Sequence, residues 1–322
     1  MIYEPFDESL KILTATKWEP WQKEAIRQVV PDAIFLEPDA CRSLEELIFQ
    51  ADILFGSPKI SPTLLAKSPT LKMIHLLSTG VDRYMVPEFK ESPIILVNSR
   101  GVHGPLVADH AMALLLALSR SLHLAYEKQE SKVWERLPIV DLEGRTAGLL
   151  GLGSIGKEVS VRCKSFGMHV VAVRRSGEKD PAVDKVFPPS QLHQVLEVSD
   201  FVICSLPLTR ETYHMITITE FSVMKPSAFF INVGRGATVK EEDLIRALEQ
   251  QMIKGAGLDV FEKEPLDPDS KLWDLPNVII TAHYGGTDEA GLKKSFAIFL
   301  DNLDRLKKGE PLRNVVDKEL GY

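Results

Sequence analysis

The sequence predicts an α/β protein built from two doubly wound, Rossmann-like units, each a parallel sheet with helices on its faces. Three observations carry this reading. Short apolar runs alternate with helical patterns along most of the chain, the order that builds parallel sheets from βαβ units. The string Gly151-Leu152-Gly153-Ser154-Ile155-Gly156 follows an apolar run ending Ala147-Gly148-Leu149-Leu150 and precedes a helix-like stretch. Such a turn needs glycine for a tight bend, for close approach of backbone to a pyrophosphate, and for packing of helix on strand. Finally, 150 residues precede the turn, enough for a whole additional folding unit.

In the first unit, residues 11–13 read as a strand, 18–30 as a helix, 33–36 as a strand, 44–49 as a helix and 52–55 as a strand ending at Gly56. A helix over 62–66 and strands over 73–77 and 94–97 complete the alternation, and the unit ends near residues 101–105. Residues 106–131 read as one long helix whose apolar centre, 111–118, predicts burial on several sides, between domains or subunits.

The glycine turn opens the second unit. Residues 157–166 form a helix with Val159, Val161 and Phe166 as apolar positions, and 168–173 a buried strand. Strands follow at 201–204, 228–233, 257–260 and 278–281, with a helix over 241–250. A last helix over 288–308 closes the chain and is expected to return to the first unit.

Composition narrows the function classes. With 44% hydrophobic and 26% charged residues, the 322-residue chain can bury full cores. A net charge of -7 and no dense basic run argue against nucleic acid or an anionic membrane as partner. Cys41, Cys163 and Cys204 are odd in number and far apart, as for free thiols in a reducing compartment, and no metal site is expected of them. Residues 1–20 show no basic stretch followed by an apolar core, so no secretory signal is expected and the location is read as cytoplasmic.

Three blocks follow predicted strands: Asn232-Val233-Gly234-Arg235-Gly236, Leu258-Asp259-Val260-Phe261-Glu262-Lys263-Glu264-Pro265, and Thr281-Ala282-His283-Tyr284-Gly285-Gly286. Ligands of open parallel sheets bind beyond the carboxyl ends of strands, so Arg235, Glu264 and His283 are candidates for one cleft beside a nicotinamide. Alone, each has a plainer role as a turn, a loop or a structural residue. Their joint pattern has none.

These blocks resemble the signatures of the D-isomer-specific 2-hydroxyacid dehydrogenase family, in family order. Pro276-Asn277-Val278, Leu206-Pro207-Leu208-Thr209 and Thr212 also match, as do Thr79-Gly80-Val81-Asp82 and Val107-Ala108-Asp109-His110 in the amino-terminal half. The sequence departs from the family at Asp109, which often is Glu, and at Ala282, which often is Pro. The resemblance implies a flavodoxin-like substrate-binding domain over residues 1–103 and 291–322 and a dinucleotide-binding domain over 104–290. A homodimer through the latter, by way of the 106–131 helix, is also implied. The substrate is then a small 2-oxo or 2-hydroxy acid.

Residue roles follow from the resemblance. Arg235 supplies a bidentate cation for the carboxylate and carbonyl. His283 exchanges the proton, and Glu264 orients it and favours its protonated form. The N–H groups around Ser78, Thr79, Gly80 and Val81 hold the substrate carboxylate. Gly151, Gly153 and Gly156 shape the pyrophosphate site, with backbone donors from Ser154 and Ile155. Leu206, Pro207, Thr212, Val233, Gly234 and Gly285 join the cofactor site. Asp259 either orients the nicotinamide carboxamide or supports Arg235. The other histidines, His110 among them, are read as structural, except that His103 lies in an expected hinge beside the cleft. Trp134, Tyr84 and Tyr284 are read as packing residues.

NAD-linked enzymes of this fold carry an acid about 20 residues past the glycines for the ribose 2′-hydroxyl. Here that place reads Arg174-Arg175-Ser176, which removes the repulsion against a 2′-phosphate and offers charge-assisted bonds to it. NADP is therefore the expected cofactor, with NAD as the alternative. Within the family, the Leu77-Ser78-Thr79-Gly80-Val81-Asp82 loop and NADP preference point to glyoxylate/hydroxypyruvate reductases. Broad-specificity D-2-hydroxyacid dehydrogenases and phosphoglycerate dehydrogenases are the alternatives. The latter need extra cations, for which the first unit offers Arg83 and Arg100, and the end at Tyr322 leads us to expect no regulatory extension. A nucleotide-sensing corepressor is the alternative of another class; the complete Arg235, Glu264 and His283 set favours catalysis.

Overall fold

The computed structural model describes residues 9–286 and 289–322. Its strands are β1 (Lys11–Thr14), β2 (Ile34–Leu36), β3 (Ile53–Phe55), β4 (Met73–His75), β5 (Ile95–Val97), β6 (Thr146–Leu150), β7 (His169–Val173), β8 (Lys185–Phe187), β9 (Phe201–Cys204), β10 (Phe229–Asn232), β11 (Gly255–Leu258) and β12 (Val278–Ile280). The α-helices are α1 (Pro20–Val29), α2 (Leu44–Leu47), α3 (Pro62–Ala66), α4 (Pro87–Glu91), α5 (Gly104–Ser119), α6 (Leu122–Glu130), α7 (Ser154–Ser165), α8 (Leu192–Val198), α9 (Ile218–Val223), α10 (Glu241–Glu249) and α11 (Glu289–Lys308). Asp288, the expected start of the last helix, and residues 1–8, which the reading for a secretory signal covered, lie outside the described residues.

The chain divides into one unit of Met1–Val102 with Asp288–Tyr322 and another of His103–Thr287. The first holds a parallel sheet in the order β2-β1-β3-β4-β5, the flavodoxin-like arrangement. Every residue of β3 and β4 is buried, as expected of strands covered on both faces. Helix α11 supplies part of that cover. Its stripe Phe296, Phe299, Leu303 and Leu306 joins Ile12, Ile53, Phe55 and Val97 in one core, so the carboxy-terminal helix does return to this unit.

The second unit holds a parallel sheet in the order β12-β11-β10-β9-β6-β7-β8. Alternate residues feed two cores: Phe201 and Ile203 join one and Val202 and Cys204 the other, the period of two that a strand imposes. Strand order reverses between β6 and β9, and a crevice opens outside the carboxyl ends at such a point.

The single helix expected over 106–131 is two. Helices α5 and α6 meet at 62°, because Ser121 adopts a left-handed backbone with φ of 52° and gives its hydroxyl to the Pro138 carbonyl at 2.6 Å. Burial also stops there: α5 buries residues through Leu118 and Ser119, whereas α6 buries none. Within its own unit α5 packs on α7, β10 and β11, which accounts for its apolar length. Among the described residues no single helix is long and apolar enough to cross a membrane.

Smaller differences have similar causes. In α7 the buried face is Gly156, Val159, Ser160 and Cys163, while Val161 and Phe166 are exposed. Strand β8 and helices α8 and α9, absent from the sequence reading, have three, seven and six residues, too few to show a period.

Candidate active site

The glycine turn joins β6 to α7 at the point of strand-order reversal, and each glycine has its own reason. Gly151 has φ of +99°, a conformation L side chains rarely adopt. A Cβ on Gly156 would stand 2.2 Å from the Gly151 carbonyl oxygen, so helix and turn close only without it. A Cβ on Gly153 would meet nothing within 4 Å; the protein leaves room there for something else. Among the described residues the N–H groups of Ser154, Ile155 and Gly156 donate to no protein acceptor. Free donors at the start of a 12-residue helix suit a pyrophosphate.

Beyond β7, Arg174 is half-buried while Arg175 and Ser176 are exposed. Arg174 Nη1 lies 3.4 Å from Asp180 Oδ2, which Lys157 Nζ also approaches at 2.8 Å. Part of the positive charge at this strand end is thus balanced internally by an acid that the sequence reading did not single out. Leu206 and Pro207 follow β9, and Val233 and Gly234 follow β10, at the same carboxyl edge. Thr212 gives its hydroxyl to the Pro207 carbonyl at 2.6 Å, shaping the loop from within.

Arg235, Glu264 and His283 follow β10, β11 and β12, three adjacent strands. Asn232 braces the first loop: its Oδ1 accepts from Gly234 N at 3.1 Å and its Nδ2 donates to the Arg235 carbonyl at 3.2 Å. The half-buried Arg235 gives Nη1 to the Gly234 carbonyl at 2.8 Å. His283 Nδ1 stands 2.7 Å from Glu264 Oε2, and Glu264 Oε1 accepts the Phe261 N–H at 3.0 Å. A carboxylate only accepts, so Nδ1 carries the proton of this bond and Nε2 is left for chemistry. The hydrogen bond to Glu264 raises the His283 pKa above its ordinary value, against burial and the Arg235 charge. For Glu264 burial pushes upward, but the bonds from His283 and Phe261 outweigh it and hold the carboxyl below the usual range. A cavity of about 430 Å³ adjoins the pair, lined by apolar Phe261, Leu266, Trp273, Ile280 and Ala282 among others.

Asp259 serves the His283 turn. Its carboxylate accepts from Thr281 Oγ1 at 2.6 Å, Tyr284 N at 3.2 Å and Gly285 N at 3.1 Å, and faces His110 Nε2 at 3.3 Å. Burial raises the Asp259 pKa, yet the hydrogen bonds from His110, Thr281 and Gly285 bring it below the usual carboxylate range. Between these anchors His283 has φ of 52°, a strained backbone that the flanking bonds maintain. Neither this role nor the partnership with His110 was evident from the sequence, although the Asp109-His110 pair had stood out in the family resemblance.

The Ser78–Val81 loop belongs to the other unit. Ser78 Oγ donates to the Gly80 carbonyl at 3.0 Å, Asn98 Nδ2 to the Thr79 carbonyl at 2.8 Å, and Ser99 N to the Ser78 carbonyl at 3.0 Å. With carbonyls tied inward, the N–H groups of Thr79, Gly80 and Val81 donate to no acceptor among the described residues. That is the composition of an anion-binding nest. Tyr84 is buried beneath it as expected, at 1% exposure, but Trp134 is fully exposed and Tyr284 is 56% exposed, so neither is a core packing residue within the chain.

Comparison with known proteins gives the same outline. Residues 112–285 match the family model for the D-isomer specific 2-hydroxyacid dehydrogenase, NAD binding domain. A glyoxylate reductase of Thermococcus gammatolerans is 33% identical over 94% of this chain and 90% of its own. A solved D-isomer specific 2-hydroxyacid dehydrogenase family protein from Aeromonas salmonicida matches with a TM-score of 0.86 and 35% identity, over 97% of this chain and 100% of that one. The NADPH-dependent glyoxylate/hydroxypyruvate reductase of Sinorhizobium meliloti, solved with NADP and sulfate, matches with a TM-score of 0.84 and 26% identity, over 98% and 100%.

Proposed function

The chain belongs to the D-isomer-specific 2-hydroxyacid dehydrogenase family, and from that premise we propose that it reduces a small 2-oxo acid, such as glyoxylate or hydroxypyruvate, in preference with NADPH. The observation that carries the reading is the 2.7 Å bond between His283 and Glu264, at the strand ends of the same unit as the glycine turn. Residues 104–290 form the dinucleotide-binding domain in this reading, and residues 1–103 with 291–322 the substrate-binding domain.

Bound NADPH supplies the hydride for the carbonyl carbon. His283 Nε2 gives its proton to the carbonyl oxygen during reduction and takes it back during oxidation, while Glu264 keeps the imidazole charged and aimed. Arg235 pairs with the substrate carboxylate and polarises the carbonyl; in the first unit the Thr79, Gly80 and Val81 N–H groups are donors that suit a carboxylate. Gly151, Gly153 and Gly156, with the donors of Ser154, Ile155 and Gly156, receive the pyrophosphate. Arg175 and Ser176, exposed beyond β7, take the 2′-phosphate together with Arg174; NADP in the Sinorhizobium meliloti relative supports this choice. The protein acts in the cytoplasm as a homodimer through its dinucleotide-binding domain, where Leu122, Tyr126, Val133, Trp134 and Ile139 expose apolar surface.

The test is loss of reduced-nicotinamide absorbance with NADPH or NADH against glyoxylate, hydroxypyruvate, pyruvate, 2-oxobutyrate and phenylpyruvate. Rapid NADPH oxidation with glyoxylate and hydroxypyruvate is the expected result. Preference for pyruvate, 2-oxobutyrate or phenylpyruvate overturns the substrate assignment, and no turnover with any pair overturns the reductase reading.

A further inference from the structure

His110 sits in the second turn of α5, whose other inward residues are apolar but for Ser119, and its ring reaches the far end of the same unit's sequence. Its Nε2 lies 2.9 Å from Thr281 Oγ1 and 3.3 Å from Asp259 Oδ1. Thr281 Oγ1 is in turn 2.6 Å from Asp259 Oδ1. The hydroxyl has one proton and the carboxylate has none, so Thr281 donates to Asp259 and its lone pair accepts from His110. The proton of that bond is therefore on His110 Nε2. The side chains of His110 and Asp259 are 14% and 4% exposed, so water competes little for these bonds.

A second observation is independent of the hydrogen bonds. The His110 ring lies against the backbone of Gly285: a Cβ there would come within 2.8 Å of His110 Cδ2. The Tyr284 ring meets it edge-on at 5.3 Å. The segment carrying His283 is thus fastened to Asp259 through the Tyr284 and Gly285 N–H groups and seated on the face of a histidine from α5.

We propose that His110 is a positioning residue for His283: by giving Nε2–H to Thr281 and Asp259 and backing Gly285, it holds the 281–285 turn where His283 can bond Glu264. This rests on the reading of His283 as the proton donor. Packing alone would ask only for a side chain of similar volume at position 110. Positioning asks for an N–H donor at the Nε2 location, which glutamine can present and leucine cannot.

The experiment compares His110→Leu and His110→Gln in the full chain with two readouts. One is kcat and KM for a 2-oxo acid with NADPH. The other is the titration of the His283 imidazole by nitrogen-detected NMR, its signal identified by loss in His283→Gln. Glu264, Asp259 and Arg235 are the charged groups acting on that ring. His110→Leu is expected to lower kcat about tenfold or more with little change in KM for NADPH, since small misplacements of reacting groups carry such losses. Its His283 titration should move down toward the ordinary histidine range, and His110→Gln should recover most of both. An unmoved His283 titration in His110→Leu, or equal damage from the leucine and glutamine variants, overturns the proposal. If the unaltered enzyme reduces no 2-oxo acid, the functional reading fails on its own, while the titration still decides whether His110 positions His283.

Discussion

His283 Nδ1 and Glu264 Oε2 stand 2.7 Å apart although 19 residues separate them in sequence. The bond favours the charged imidazole and leaves Nε2 outside it. Both side chains are more than a third exposed, at 44% and 36%, so the worth of the pair lies in protonation state rather than in stability.

In the proposed reaction reduction consumes the proton of charged His283, so its rate should fall as pH rises through the raised His283 pKa. Replacing Glu264 by Gln removes the largest cause of that rise, and the fall should move to lower pH. The check is the pH profile of kcat/KM for both proteins; superimposable profiles remove Glu264 from this role.

Arg174 and Arg175 should decide between the two nicotinamide cofactors. The double variant Arg174→Asp with Arg175→Ala is expected to raise KM for NADPH about tenfold or more over any change for NADH, as charge-assisted bonds are lost. Steady-state kinetics with each cofactor measure it, and equal changes would mean the pair does not read the 2′-phosphate.

Gly156→Ala sets a Cβ 2.2 Å from the Gly151 carbonyl, a backbone atom that cannot swing aside. Forced relief of such overpacking costs about 1–3 kcal/mol. Thermal melting should show that loss and fluorescence titration a weakened NADPH complex. A variant that melts and binds like the parent would mean the turn yields more easily than its geometry implies.

His75 makes the first unit sensitive to acid. Its ring is fully buried beside Phe55 and Phe299, neither nitrogen has a hydrogen-bond partner among the described residues, and burial lowers its pKa to about 3. The unfolded chain then binds the proton more readily than the folded one. Above the ordinary value of 6.5 the ring is neutral in both states and adds no pH dependence, and stability is lost as pH falls from there toward the folded value. The loss is about 1.4 kcal/mol per pH unit at most. His75→Leu should flatten the dependence of Tm on pH between neutral and pH about 4, and an unchanged slope would assign acid sensitivity elsewhere.

Much of this was legible before any coordinates. The order of strands and helices shows in local alternation of apolar and polar residues, and Gly151 and Gly156 serve the bend and the helix packing their positions suggested. The blocks around Arg235, Glu264 and His283 stood out because each follows a strand, and strand ends in one parallel sheet share an edge. The break between α5 and α6 was not legible. It depends on a left-handed Ser121 bonded to Pro138, 17 residues on, and on the absence of buried residues in α6, while the local pattern through 131 still reads as helical.

The sequence by itself determined the two-unit α/β class, the glycine turn and the candidate groups at the strand ends, because periodicity, turn residues and strand-end motifs are local properties of the chain. Only the tertiary structure decided that His110 faces Thr281 across 171 residues, that Asp259 fastens the His283 turn, and that Arg174 shares Asp180 with Lys157. These depend on where folding brings distant side chains within about 3 Å of one another, and a hydrogen bond at that range is set by packing of whole elements that no local pattern records.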